Sequence, residues 1–193
     1  MHKGRIEAFS DGVIAIVITI LVLELKIPHG AEWAAIAPLV PAFGSYVLSF
    51  IYLGIYWNNH HHLLQAATRV NGLALWANLH LLFWLSLIPF VTGWMGENEF
   101  GRIPVAVYGA DLLMAGFAYN LLERTLIAAQ GKESRLKMAV GAEIKGWISV
   151  AFYVAGILAA SFWTPWIALG LYVLVALMWL IPDRRIERVL GKE

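Results

Sequence analysis

Groups able to bind metals or move protons lie near one end of three apolar stretches in this chain. The segment "RIEAFSDGVIAIVITILVLEL", residues 5–25, places Arg5, Glu7, Ser10 and Asp11 within its first two turns and is otherwise almost wholly apolar. The segment "YWNNHHHLL" supplies Trp57 and the consecutive histidines His60, His61 and His62, and the next apolar stretch opens with Asn71, Asn78 and His80. Asp111 and Lys145 stand in later apolar stretches. An acid, a hydroxyl, amides and imidazoles gathered at one depth suit a hydrogen-bonded anchor, a metal site or a proton relay. Successive residues on a helix splay by about 100°, so three adjacent histidines offer at most two ligands to one ion, and an i, i+4 pair is absent among them. No metal is expected. The chain has no cysteine, hence no thiolate ligand, nucleophile or disulfide. HExxH, GxSxG, Walker and dinucleotide glycine patterns are missing, so an enzyme is not expected. TVGYG is missing too, which excludes a filter of stacked carbonyl oxygens.

The elements that must position these groups are membrane helices. Of 193 residues, 60% are hydrophobic and 14% charged, against roughly 25% charged in an average soluble domain. A span needs about 20 apolar residues as helix. The hydrophobic pattern predicts an all-α fold in one domain, residues 1–193, with six spans near 6–25, 33–56, 70–95, 103–122, 146–163 and 165–181. Pro38 and Pro41 predict a kink or late start in the second span, and "FWTPW" around Pro165 divides the last long stretch in two. With both termini on one side, that side holds Lys3, Arg5, Arg69, Arg124, Lys132, Arg135, Lys137, Arg184, Arg185, Arg188 and Lys192, while the other holds Lys26 and Arg102. This asymmetry predicts cytoplasmic termini. A net charge of +1 gives no reason to expect a nucleic-acid partner.

On the first helix, with Ile16 set as zero, Gly12, Thr19, Ile20 and Leu23 fall within about 60°, on a stripe shared with Phe9 and Arg5. Asp11 and Ser10 fall about 140° and 120° away on opposite flanks. The polar flank therefore faces a different way from the aliphatic row. Asp11 and Ser10 lie at the depth where the second span ends and the third begins. A buried network with Trp57, one or two of His60, His61 and His62, and Asn78 or His80 is expected to lock the first helix to the next two. Spacing leaves open which histidine turns inward. Asp111 is expected to pair with Lys145 or to face a crevice. The aliphatic row, taken alone, is ordinary helix packing.

Arg5-x-x-x-Phe9-Ser10-Asp11 at the start of the first of six spans resembles the RxxxFSD signature of the transmembrane protein 175 family, the endosomal and lysosomal potassium channels and their prokaryotic relatives. Span count, topology and the His/Asn cluster after the second span agree along essentially the whole chain. Animal members carry two six-helix repeats; this chain has one, so the resemblance implies the prokaryotic form, a homotetramer around a central pore, multi-pass in the cell membrane. It implies that Ile16 forms the narrowest layer, with Thr19 and Leu23 beyond it and Gly12 and Ile20 on the same contact face. It implies potassium as the permeant ion, with no cofactor. A narrow apolar ring gates by losing its water; an ion passing it sheds hydration, which costs potassium less than sodium and yields modest selectivity. Two other readings are a proton-coupled carrier using Asp11, Asp111 and the histidines, and a non-transporting scaffold.

Overall fold

The computed structural model describes residues 3–130 and 144–180. Within them the chain forms six α-helices: α1 (Lys3–Leu23), α2 (Val40–Ala66), α3 (Gly72–Glu97), α4 (Arg102–Gln130), α5 (Ile144–Phe162) and α6 (Pro165–Leu180). The first five are long and apolar enough to cross a membrane. The 16 residues of α6 span about 24 Å at 1.5 Å per residue. The chain is a multi-pass membrane protein. Lys132, Arg135, Lys137, Arg184, Arg185, Arg188 and Lys192, which enter the charge asymmetry, lie outside the described residues, as does the last residue expected of the sixth span.

Helix limits follow local chemistry. After α1, "KIPHG" leaves the helical path, with Gly30 at φ 125°, a left-handed position that favours glycine. Two short 3-10 turns, Trp33–Ala35 and Ala37–Leu39, precede α2, so the second span begins as a regular helix at Val40 rather than at residue 33. Pro38 and Pro41 have no amide hydrogen to donate, and the late start places both where none is needed. At its other end α2 runs ten residues past the expected residue 56, carrying the histidines on helix. The Asn71 side chain caps α3 by accepting from the Ala74 amide at 2.9 Å. The fourth helix continues to Gln130, eight residues past its expected end. Between α5 and α6 the amides of Trp163 and Thr164 both donate to the Ala159 carbonyl, and Pro165 opens the next helix.

Each of α3, α4 and α5 packs on its successor, and α1 packs on α2 and α3. Helix association in lipid draws on close packing and interhelical hydrogen bonds, since the bilayer is as apolar as the side chains. Both devices are present. The Tyr172 ring occupies the space that side chains at Gly109 and Gly156 would fill, and Ala42 and Ser45 lie directly against Gly96. In the core, Ser49 Oγ lies 2.6 Å from Thr92 Oγ1 and 3.0 Å from Tyr108 Oη, while Tyr52 Oη donates to the Tyr172 carbonyl at 2.6 Å.

Candidate functional site

The first helix divides lengthwise. Ile6, Ser10, Ile14, Val17 and Leu21 recur at three- and four-residue steps and are all buried against α2 and α3. On the opposite side Arg5, Phe9, Gly12, Ile16, Thr19, Ile20 and Leu23 are uncovered by the chain, with Ile16 59% and Leu23 78% exposed. Thr19 Oγ1 donates its hydrogen to the Ile16 carbonyl at 2.8 Å. Its hydroxyl oxygen therefore presents lone pairs outward, the polarity a cation needs.

The anchoring side separates into two clusters. In the first, wholly buried, Asn78 Nδ2 donates to Ser10 Oγ at 2.9 Å, and His60 Nε2 lies 2.8 Å from Asn78 Oδ1. An amide oxygen only accepts, so His60 carries a hydrogen on Nε2. His60 is the inward-facing histidine, with no exposed surface. In the second cluster, half-buried at the same end, the Trp57 indole donates to Asp11 Oδ1 at 3.1 Å and stacks on His61, whose Nδ1 lies 3.6 Å from Glu7 Oε1. Lys3 Nζ adds a hydrogen bond to the Gln65 carbonyl at 3.1 Å. Ser10 thus fastens α1 to α3, and Asp11 and Glu7 fasten it to α2.

His80 is not in the network. Its Nε2 accepts from Trp84 on its own helix at 3.0 Å, because position 80 lies off the buried stripe of α3 defined by Ala74, Ala77, Asn78, Leu81 and Leu85. His62 meets His61 edge-on, and its buried Nδ1 has no hydrogen-bond partner. The expected Asp111–Lys145 pair does not form either. Asp111 is buried with both oxygens unpartnered, whereas Lys145 Nζ donates to the Met178 carbonyl at 3.3 Å. Asp111 lies nine residues, about 14 Å, into α4 from its Arg102 end. Lys145 lines a cleft with Glu123 and Arg124, towards the other end of that helix. Among the described residues no hydrogen bond joins Asp11, His60 and Asp111 into the relay a coupled carrier would use, and no group of three or more His, Asp or Glu side chains is placed to hold a metal ion.

A family model described as the endosomal/lysosomal potassium channel TMEM175 matches residues 5–89. A protein named a potassium channel from Chryseobacterium sp. (strain P1-3) is 58% identical over 190 residues, covering 98% of each chain. The chain belongs to the TMEM175 family. A protein named a potassium channel from Streptomyces collinus is 30% identical over 159 residues, 72% of this chain and 77% of its own. The crystal structure of a lysosomal potassium-selective channel TMEM175 homolog from Chamaesiphon minutus superposes with a TM-score of 0.78 at 26% identity, covering 94% of this chain and 97% of the other. The TMEM175 match includes α1, α2 and the first part of α3, which are the elements that carry both clusters. Glu7 stands among the polar residues noted in the first two turns but was not placed in the expected network, although a signal was there. Glu7 and Asp11 on α1 are four residues apart, as are Trp57 and His61 on α2, so two matched i, i+4 pairs face each other.

Proposed function

We propose that four copies of this chain assemble with α1 around a common axis and form a cation channel of modest potassium selectivity, in which Ile16 is the narrowest layer and Thr19 and Leu23 line the path beyond it. The observation that carries this reading is the character of the uncovered side of α1. Elsewhere the exposed surface bears large aromatic side chains, among them Trp76, Phe83 and Phe90 on α3 and Trp147 and Phe162 on α5. Phe9 apart, the uncovered side of α1 carries Gly4, Ala8, Gly12 and Ala15 between its aliphatic residues. Small residues let helix backbones approach closely, and Gly12 meets nothing within 4 Å in the single chain. A helix built to meet other helices, with four isoleucines converging, makes a narrow apolar ring that excludes water until it widens.

The relatives named as potassium channels support potassium as the permeant ion. At such a ring selectivity comes from hydration: potassium gives up water more cheaply than sodium, and the Thr19 oxygens replace part of what it loses. The Lys and Arg distribution supports both termini on the cytoplasmic side of the cell membrane, and the proposed conduction calls for no cofactor. The test is potassium flux and unitary current from full-length protein in liposomes. Ile16→Asn should wet the ring and raise the current. An unchanged current and ion preference in Ile16→Asn would remove α1 from the pore.

A further inference from the structure

Asp111 is 4% exposed, and neither of its carboxyl oxygens has a hydrogen-bond partner among the described residues. It shares the buried stripe of α4 with Tyr108, Ala115, Ala118 and Leu122. Its place about 14 Å in from Arg102 is near the middle of a hydrocarbon core about 30 Å thick. A cleft of about 420 Å³ opens between α2, α4, α5 and α6, but its wall takes Leu113, Gly116 and Phe117 from α4, and Asp111 is not part of it.

A carboxylate buried at that depth needs a cation or several donors. On α4 the cations are Arg102, whose Nη2 donates to the Trp163 carbonyl at 2.9 Å, and Arg124, about 20 Å further in. The facing helix α3 carries no ionisable side chain between His80 and Glu97. From α5 come Lys145, whose Nζ donates to the Met178 carbonyl, and Tyr153, which lies on the cleft wall. The ionisable groups that α2 and α6 turn to the core here are Tyr52, Tyr56 and Tyr172. Their hydrogens are committed: Tyr52 donates to the Tyr172 carbonyl, Tyr172 to that of Val105 and Tyr56 to that of Leu112. Tyr108, one turn from Asp111, is committed as well. Thr92 donates to the Ile88 carbonyl, so Ser49 donates to Thr92 and Tyr108 to Ser49. No donor is left for an anion. A carboxylic acid bears no charge and has a hydrogen of its own to give to a backbone carbonyl, so the same position suits it.

We infer that Asp111 is a proton-binding site: its carboxyl is a neutral acid in the packed bundle and releases its proton only when α4 parts from its neighbours and admits water. The packed bundle then holds one proton more than the hydrated chain. Its stability is therefore complete under acid conditions and declines as pH rises. Acid tightens the seat of α4 and alkali loosens it. The proton is stored rather than passed on, since no hydrogen bond leads from Asp111 to another titratable group among the described residues. The site does not depend on what the uncovered side of α1 conducts.

The experiment is infrared spectroscopy of full-length protein in liposomes at neutral pH, with isotope-labelled aspartate to separate aspartate bands from those of glutamate. The C=O stretch of a neutral carboxyl should be present, move with the label and vanish in Asp111→Asn, which keeps the shape of the acid. Reversible unfolding in mixed micelles reads the same proton through stability. Relative to Asp111→Asn, the folding constant of the unmodified protein should fall about tenfold per pH unit between about pH 5 and about pH 7. Asp111→Leu, which removes the carboxyl altogether, should abolish the same pH dependence. No such band in the unmodified protein, a band that survives in Asp111→Asn, or an equal pH dependence in protein and variants overturns the assignment. Failure of both variants to fold overturns it too, since a neutral, unpartnered acid tolerates a neutral side chain of its size.

Discussion

On one side of α1 the polar side chains Lys3, Glu7, Ser10 and Asp11 each reach another helix; on the other side Thr19 bonds only within its own. Ser10 and its neighbours are positioned by hydrogen bonds to Asn78 and Trp57 across interhelical gaps, whereas the Thr19 hydroxyl bonds only to its own helix. The buried side works by satisfaction: an unpartnered polar group in a bilayer costs free energy, so each donor specifies its acceptor. The uncovered side is proposed to work by size and wettability, which tolerate substitution without unfolding. On the proposed reading one helix keeps its stability and its transport chemistry on opposite flanks, and the two should respond to mutation independently.

The largest expected effect breaks the buried side. Asn78→Leu leaves the Ser10 hydroxyl and His60 Nε2 without their partner and should cost about 3 kcal/mol, read as loss of thermal stability in detergent. Potassium selectivity of the surviving protein should stay as it was. Next comes the uncovered side. Ile16→Asn should raise unitary current about tenfold, equivalent to about 1.4 kcal/mol off the barrier, with the melting temperature unmoved. Loss of stability in this variant would mean that Ile16 packs against protein rather than lining a path. Thr19→Ala should reduce potassium over sodium preference about threefold, about 0.65 kcal/mol, in bi-ionic reversal potentials; because the hydroxyl bonds only within its own helix, stability should hold. The smallest effect is at the half-exposed cluster. A double-mutant cycle of Glu7→Gln and His61→Gln should show a coupling of about 0.5 kcal/mol or less, as partly solvated pairs do. A coupling several times larger would place Glu7 and His61 among the principal anchors, beside Asn78.

Much of this was legible in the sequence. Six helices, a second helix delayed by Pro38 and Pro41, and a lengthwise division of α1 follow from hydrophobic length, proline chemistry and 3.6-residue spacing. Spacing alone left the inward histidine open, although the structure shows the stripe that decides it. Ser45, Ser49, Tyr52, Tyr56 and His60 form one stripe at three- and four-residue steps, and all are buried, whereas His61 and His62 leave that stripe. His80 matches Asn78 in depth but not in direction around α3, and it points away from the stripe that holds Asn78. The Asp111–Lys145 pairing failed on the other coordinate, since two charges on adjacent spans meet only at equal depth. The cleft between α4 and α5 had no sequence signature, because it arises from how four helices splay rather than from any motif.

Asn78 grips Ser10 through its amino group and His60 through its oxygen, and so acts as a torsional key for the first helix. Rolling α1 about its own axis by one residue would swing Ser10 through about 100° and strip the key of its hold. Widening of the proposed pore must therefore come from motion that preserves this register: α1 tilting or sliding outward together with α2 and α3 as one body, with Ile16 carried away from the axis rather than turned aside.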